Sequence, residues 1–443
     1  MSIRNDIDSI FDEYKVNLGR LIKYPSVLDE TGQKPFGKPI QDALEEMMAI
    51  AKELGFETFI DPEGYYGYAQ VGEGDDLFGI LGHLDVVPVG DLSKWNTDPF
   101  ELNEIDGTLV GRGTSDDKGP MLAAMYSLKV LLDKGKKLNQ RVRFIFGTDE
   151  ESLWRCMKAY TEKEELPNYG FTPDSGFPLT YAEKGLIEYT LELHEDAGFT
   201  FKGGDALNAV PSSAVLEYDQ TVEDALKSFG YQYSSDGKDI TVAGVAMHAK
   251  DADKGVNAIV NAAHALHVAG KRTKLIDFIV DHCLDANGKD LYGAVSDEVS
   301  GKLMLNVGIV DFSDKNQKIG IDIRFPVTFP KESVDEKMYE TGKEFGLDVK
   351  EFDYLRSIYL DKDSDYIKTL MKVYREVTGD LESEPISSGG ATYARAMENI
   401  VAFGPKLVSA PSTEHQPNEY IVIDNMKVAM EVYAETFLAL VIS

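Results

Sequence analysis

The sequence predicts a layered α/β domain interrupted by an inserted α+β domain. Three observations carry this. From residue 1 to about 185, short apolar runs alternate with helical patterns, the signature of helices packed on a sheet. From about 186 to 358 the chain changes to strands of alternating polarity, one helix near 255–270 and looser loops. After about 361 the stretch DYIKTLMKVYREVTG restarts the first pattern. The expected parts are therefore 1–185 and 359–443, together one catalytic domain, and 186–358, an inserted lid domain. A chain of 443 residues is long for one core, which supports the division.

Taken in order, LFGILG (77–82) reads as a buried strand from its length and apolar density, and TLVGRG (108–113) as a short one. MLAAMYSLKVLLDKG (121–135) has helical apolar spacing and closes on glycine, as a helix should. RVRFIFG (141–147) is the next strand, and LWRCMKAYTEKEE a helix after it. The middle part offers strands in LIEYTLELH, DITVAGVAMH and KIGIDIRFPV. IVAFGP is a strand of the last part, followed by a terminal helix from Asp424.

An apolar content of 43% with 10% aromatics belongs to a packed globular protein rather than a disordered one. No apolar run approaches the ~18 residues of a membrane span, and MSIRNDIDSIFDEYKVN lacks the apolar centre of an export peptide. Cys156 and Cys283 are too few for a disulfide framework, so a cytoplasmic protein with reduced thiols is expected. A formal charge of -31 opposes binding to nucleic acid. That charge fits either plain solubility or a cation site.

Several titratable residues stand where strands end. His83 and Asp85 follow LFGILG, Glu150 and Glu151 follow RVRFIFG, and Asp116 lies in GTSDDKG after TLVGRG. Asp174 follows YGF, and His415 lies in PSTEHQPN beyond IVAFGP. In α/β sheets, functional groups gather beyond the carboxyl ends of the strands. Singly, each has an ordinary reading: a turn aspartate, a glutamate pair at a helix N-terminus, a packed or exposed histidine. Together, histidines and acids from five segments are costly to cluster without a cation. Mixed imidazole and carboxylate donors suit zinc, manganese or cobalt better than calcium. Other motifs fail: in GRGTSD, Asp116 occupies the third glycine position of a dinucleotide loop, and DANGKD (285–290) is a turn lacking the acidic ends of a calcium loop.

The ordered set GHLDVVP, GRGTSDDKGP, GTDEES, FTPD and STEHQPNE resembles the metallopeptidases built on a co-catalytic metal pair. That is the family of glutamate carboxypeptidase, aminoacylase and carnosinase, and within it the likeness is to the bacterial dipeptidase V group. The resemblance spans nearly the whole chain. It implies two divalent ions, zinc first, with manganese or cobalt as alternatives. His83 and Asp174 would hold one ion, Glu151 and His415 the other, and Asp116 would bridge both. Asp85 would orient the His83 imidazole, Glu150 would be the general base, and the Asp116–Asp117 peptide would be cis. GVAMHAKDADKGVNA resembles the family's lid motif, without its proline after HA, and makes His248 the donor to the oxyanion. Asn208 in ALNAVPSSA and Arg324 in IDIRFPV match substrate-contacting positions, Arg324 gripping the C-terminal carboxylate as a bidentate pair. Gly389 and Gly390 in SSGGATYAR would offer N–H groups at a helix N-terminus to the same carboxylate.

The activity implied is a dipeptidase acting on small peptides, as a monomer whose enlarged lid replaces a partner subunit, with neither nucleic acid nor membrane as partner. An aminoacylase or deacylase of N-acyl amino acids would share the same metal pair. A non-catalytic carrier or sensor of peptide or metal is the third alternative.

Overall fold

The computed structural model describes residues 2–33, 35–313 and 315–443. The chain folds as two compact units. The first takes residues up to Tyr181, Leu360–Ile386 and Thr392–Ser443; the second takes Ala182–Tyr359 and Ser387–Ala391. The expected crossings fell at 185/186 and 358/359, and the short return of Ser387–Ala391 to the second unit had no sequence signal.

The large sheet of the first unit runs in the order Glu57–Ile60, Tyr66–Val71, Arg141–Gly147, Leu77–His83, Tyr169–Thr172, Ile400–Ala402 and then Thr180. Its four middle strands are parallel, with His83 beside Gly147, Phe78 beside Tyr169 and Ile400 beside Gly170. Leu77–His83 is buried along its whole length. A parallel strand covered on both faces needs apolar residues at every position, which is why LFGILG reads as an unbroken run. The carboxyl ends of these strands lie along one edge. Helices of this unit include Ile3–Ile22, capped by Ser2 accepting the Asn5 N–H, and Asp365–Thr378, capped by Ser364 and closed by a left-handed Gly379.

Two local expectations change. The helix expected at 121–135 spans Lys118–Asp133 and so begins inside GTSDDKG. It can do so because the buried Lys118 ammonium donates to the carbonyls of Leu21 (3.2 Å) and Tyr24 (2.9 Å), at the end of the first helix. TLVGRG supplies only the strand Thr108–Val110, which joins a separate sheet with Asn103–Ile105 and Tyr420–Val422.

The second unit is built on an eight-stranded antiparallel sheet that includes Gly185–Leu193, Met304–Ser313 and Asn316–Phe325. Ile187, Tyr189 and Leu191 alternate into a core with Ile319, Ile321 and Ile323. Residues of the helices Ala258–Val268, Lys274–His282 and Lys331–Glu344 complete that core. Of DITVAGVAMH, only Asp239–Ala243 is strand. Beyond it Gly244 N–H donates to Ser212 O (2.8 Å), and Val245 bridges Val256.

Candidate metal centre

His83 closes its strand as a fully buried residue. Its Nδ1 lies 2.9 Å from the carbonyl oxygen of Asp85 and 3.6 Å from that residue's carboxylate. The carbonyl accepts the Nδ1 proton, and Nε2 is the atom that faces Asp116 and Asp174. The carboxylate of Asp85 turns elsewhere: Oδ2 accepts the Glu151 N–H at 3.0 Å. Of the two Asp85 groups near the ring, the backbone carbonyl is the one within hydrogen-bond distance of Nδ1.

Asp116 divides its two oxygens. Oδ1 lies 3.0 Å from His83 Nε2, and Oδ2 lies 2.9 Å from His415 Nε2. Asp174 Oδ2 stands 3.9 Å from His83 Nε2, and the Glu151 carboxylate 3.1 Å from His415 Nε2. Two groups result, His83–Asp116–Asp174 and Asp116–Glu151–His415, each with its donor atoms within 4.8 Å of one another. A third grouping of the same kind joins His83, Glu150 and Glu151. The Asp116–Asp117 peptide is cis. All of these residues belong to the first unit.

The electrostatics favour a cation here. Burial raises the Glu150 carboxyl to about 8, with Glu151, Asp116 and Asp85 adding and His83 opposing. Burial likewise raises Glu151, and lifts Asp174 well above the carboxylate range with Asp116 contributing. Burial acts the same way on Asp116, but hydrogen bonds from His415 and His83 outweigh it and hold that carboxyl low. His415 is lifted to about 10 by Asp116 and then Glu151. Carboxylates this close repel one another, and positive charge relieves them. Among the described residues, Asp85 Oδ1 and Asp117 Oδ1 are buried with no hydrogen-bond partner. Imidazole nitrogens and carboxylate oxygens at these separations fit divalent ions.

The loop carrying Asp116 is held by Glu419, which no sequence expectation singled out. Its Oε1 accepts the N–H groups of Gly113 (3.0 Å), Ser115 (2.9 Å) and Asp116 (3.2 Å). Its only sequence signal was a position at the end of STEHQPNE, where an acid passes for a surface residue.

The remaining expected residues lie in the second unit. His248 is exposed, and its Nδ1 accepts the Lys250 N–H at 3.1 Å. Desolvation first, then the charges of Arg324 and Lys250, lower its pKa. The imidazole is therefore neutral at neutral pH, with its proton on Nε2. Ala209, beside Asn208, bridges His248. Arg324 is braced by its neighbour: Nε and Nη2 each donate to the Asp322 carboxylate at 2.7 Å, so that edge of the fork is taken. Nη1 donates to Gly389 O at 3.4 Å. Gly389 and Gly390 depart from expectation. They lead into the four-residue 3-10 turn Tyr393–Ala396 rather than a helix, and Gly390 N–H donates to Ser388 Oγ at 2.9 Å.

A sheet whose parallel strands bring His83, Glu150, Glu151 and Asp174 to one edge, where Asp116 and His415 join them in two groups sharing that aspartate, defines the class: a metallohydrolase. Residues 79–439 match the model of Peptidase family M20/M25/M40, and the chain belongs to that family. YtjP of Bacillus subtilis (strain 168), which carries a provisional dipeptidase name, is 37% identical over 445 residues and 94% of each chain. A Staphylococcus haemolyticus protein with the same kind of name is 32% identical over 454 residues, covering 96% of each. In fold, the chain is similar to human carnosine dipeptidase 1, with a TM-score of 0.60 at 18% identity over 98% of each chain. It is also similar to the aminoacylhistidine dipeptidase of Vibrio alginolyticus, with a TM-score of 0.59 at 16% identity over 96% of this chain and 95% of that one. Among the described residues, no helix is long and apolar enough to cross a membrane.

Proposed function

We propose that this peptidase is a metal-dependent dipeptidase, working in the cytoplasm as a monomer and releasing the N-terminal residue of short peptides. The observation that carries the reading is Asp116, whose two oxygens are shared between His83 and His415. In this reading His83, Asp116 and Asp174 hold one divalent ion, and Asp116, Glu151 and His415 the other. Zinc is the proposed metal, with manganese or cobalt suited to the same donors. Such a pair supplies Lewis acidity toward the scissile carbonyl and lowers the pKa of a water.

Glu150 is the proposed general base. Its carboxylate takes a proton from the attacking water and returns it to the leaving amine. His248 is the proposed oxyanion donor. Because Nδ1 accepts the Lys250 N–H, a neutral imidazole carries its proton on Nε2 and can donate there. Asn208 and the Nη1 end of Arg324 are the proposed substrate contacts, with Gly389 O at 3.4 Å from that nitrogen. The dipeptidase names of the relatives support this substrate class.

The test is metal analysis together with turnover of a dipeptide panel beside N-acetyl amino acids. Dipeptides should be the better substrates. Preferential cleavage of the acetyl compounds would replace the reading with a deacylase, and no hydrolysis after loading with zinc, manganese or cobalt would leave a binding protein.

A further inference from the structure

Asn208 and His248 lie on two irregular segments that hold each other. Ala209 bridges His248, Ala249 N–H donates to Asn208 O at 2.8 Å, and Val210 N–H donates to Met247 O at 2.8 Å. Irregular backbone of this kind needs an anchor, and Asn306 supplies it. Asn306 lies on the strand Met304–Ser313 with 2% of its surface exposed. Its Nδ2 donates to Leu207 O at 2.9 Å and to Ala209 O at 2.8 Å, the carbonyls on either side of Asn208. Its Oδ1 accepts from Asn257 Nδ2 at 3.0 Å. Asn257 is fixed in turn, because its Oδ1 caps the helix Ala258–Val268 by accepting the Ile259 and Val260 N–H groups.

The sheet beneath is shaped for this loop. A Cβ on Gly308 would stand 2.5 Å from Leu207 O, and one on Gly320 would stand 2.3 Å from Leu207 Cδ2. Leu207 is thus seated on two glycines while the carbonyls of residues 207 and 209 are clamped. A terminal amide is suited to the task because its one nitrogen carries two hydrogens for the two carbonyls, and its oxygen is left to be oriented by a neighbour.

We infer that Asn306 is a positioning residue for peptide hydrolysis. It fixes the backbone on both sides of Asn208. The inference rests on the role proposed above for Asn208. Displacing a positioned group by about 1 Å can cost on the order of 10²-fold in rate, so a clamp that touches no substrate can still govern turnover.

The test is a double-mutant cycle on the full-length, metal-loaded enzyme with a good dipeptide substrate. Asn306→Asp keeps the shape and removes both donors. It should lower kcat/KM at least about tenfold, leaving the metal content unchanged. In an Asn208→Ala background the same substitution should change kcat/KM less than about threefold, since coupled residues are not additive. Asn306→Ser, with one donor, should fall between, and it provides the same cycle if the Asn306→Asp variant does not fold. Wild-type kcat/KM in both Asn306 variants, or a full additive loss in the Asn208→Ala background, would overturn the inference while leaving the proposed function intact. An Asn208→Ala enzyme with unchanged kinetics would instead remove Asn208 from the site, and the inference with it.

Discussion

Arg112 and Glu419 form an ion pair at 2.7 Å in which neither side chain is more than 2% exposed. The strand pairing sets it up, with Tyr420 opposite Val110 and Gly111 N–H donating to Glu419 O at 3.0 Å. One carboxylate oxygen takes the guanidinium and the other gathers three N–H groups of the loop leading into Asp116. Charges taken out of water need partners of this kind, and the contacts of Glu419 are filled while Arg112 Nε is buried with none among the described residues.

Glu419→Ala should therefore be severe. It strands a buried guanidinium and leaves three N–H groups without their acceptor, a loss of roughly 3–5 kcal/mol. Glu419→Gln keeps an acceptor for the loop and should lose clearly less. Urea unfolding of both variants checks this, and equal losses would show that the loop contacts carry no weight.

Glu150 and His83 should separate in their effects. Glu150→Ala should keep its metal while kcat falls at least ~10²-fold, the usual scale for a positioned proton carrier. His83→Ala should lose metal, because it removes a donor atom from the cluster. Metal content measured beside kcat distinguishes them. Near-normal turnover of Glu150→Ala would take it out of the base role.

Gly82 is a third point of sensitivity. A Cβ there would lie 2.2 Å from Asp117 Oδ2 and 2.2 Å from Met121 Cγ, because the helix Lys118–Asp133 packs directly on the strand. The same Asp117 oxygen accepts the His83 N–H at 3.2 Å. Gly82→Ala should cost about 1–3 kcal/mol by overpacking and should also weaken metal binding by moving Asp117 away from His83. A variant destabilised in thermal unfolding but with unchanged metal titration would uncouple the two effects.

The sequence was legible where its information is local. A buried parallel strand must be apolar throughout, and the residue just after it sits at the functional edge, so LFGILG and RVRFIFG announced His83, Asp85, Glu150 and Glu151. Glu419 and Arg112 could not be found that way: they are 307 positions apart, and each resembles an ordinary surface charge. Asn306 was hidden for the same reason, since its carbonyl partners lie 97 and 99 positions away. Gly389 and Gly390 were misread because a glycine pair before TYAR looks like a helix entry, whereas the chain makes only one short turn there.

Glu188, in the second unit, gives a pH prediction. It stands opposite Asp322 on one neighbouring strand and Asp353 on the other. Burial first, then Asp322 and Asp353, push its carboxyl up to about 7, with Arg324 opposing. Burial raises Asp353 as well. An unfolded glutamate titrates near ~4.3, so between that value and about 7 the folded chain holds a proton that the unfolded chain releases. The stability from this group is full at low pH and declines as pH rises through that window. Glu188→Gln cannot ionise, so its melting temperature relative to wild type should climb from pH 5 to pH 8. A difference that stays flat or falls would show that Glu188 titrates normally.

Assembly is tested by complementation. If the chain works as a monomer, His248 serves the metal centre of its own chain. The second unit has its own sheet of eight strands and a continuous apolar core. It also holds the His248 segment by internal bonds, through Ala209, Ala249 and Asn306. Sedimentation at micromolar concentration should then give the mass of one chain. His248→Ala and Glu150→Ala should each be nearly inactive for different reasons, one lacking the oxyanion donor and the other the base. Mixing the two should restore nothing, because no site can borrow the group it lacks. In a dimer that shared His248 across subunits, a mixed pair would regain one complete site, and recovered activity would refute the monomer.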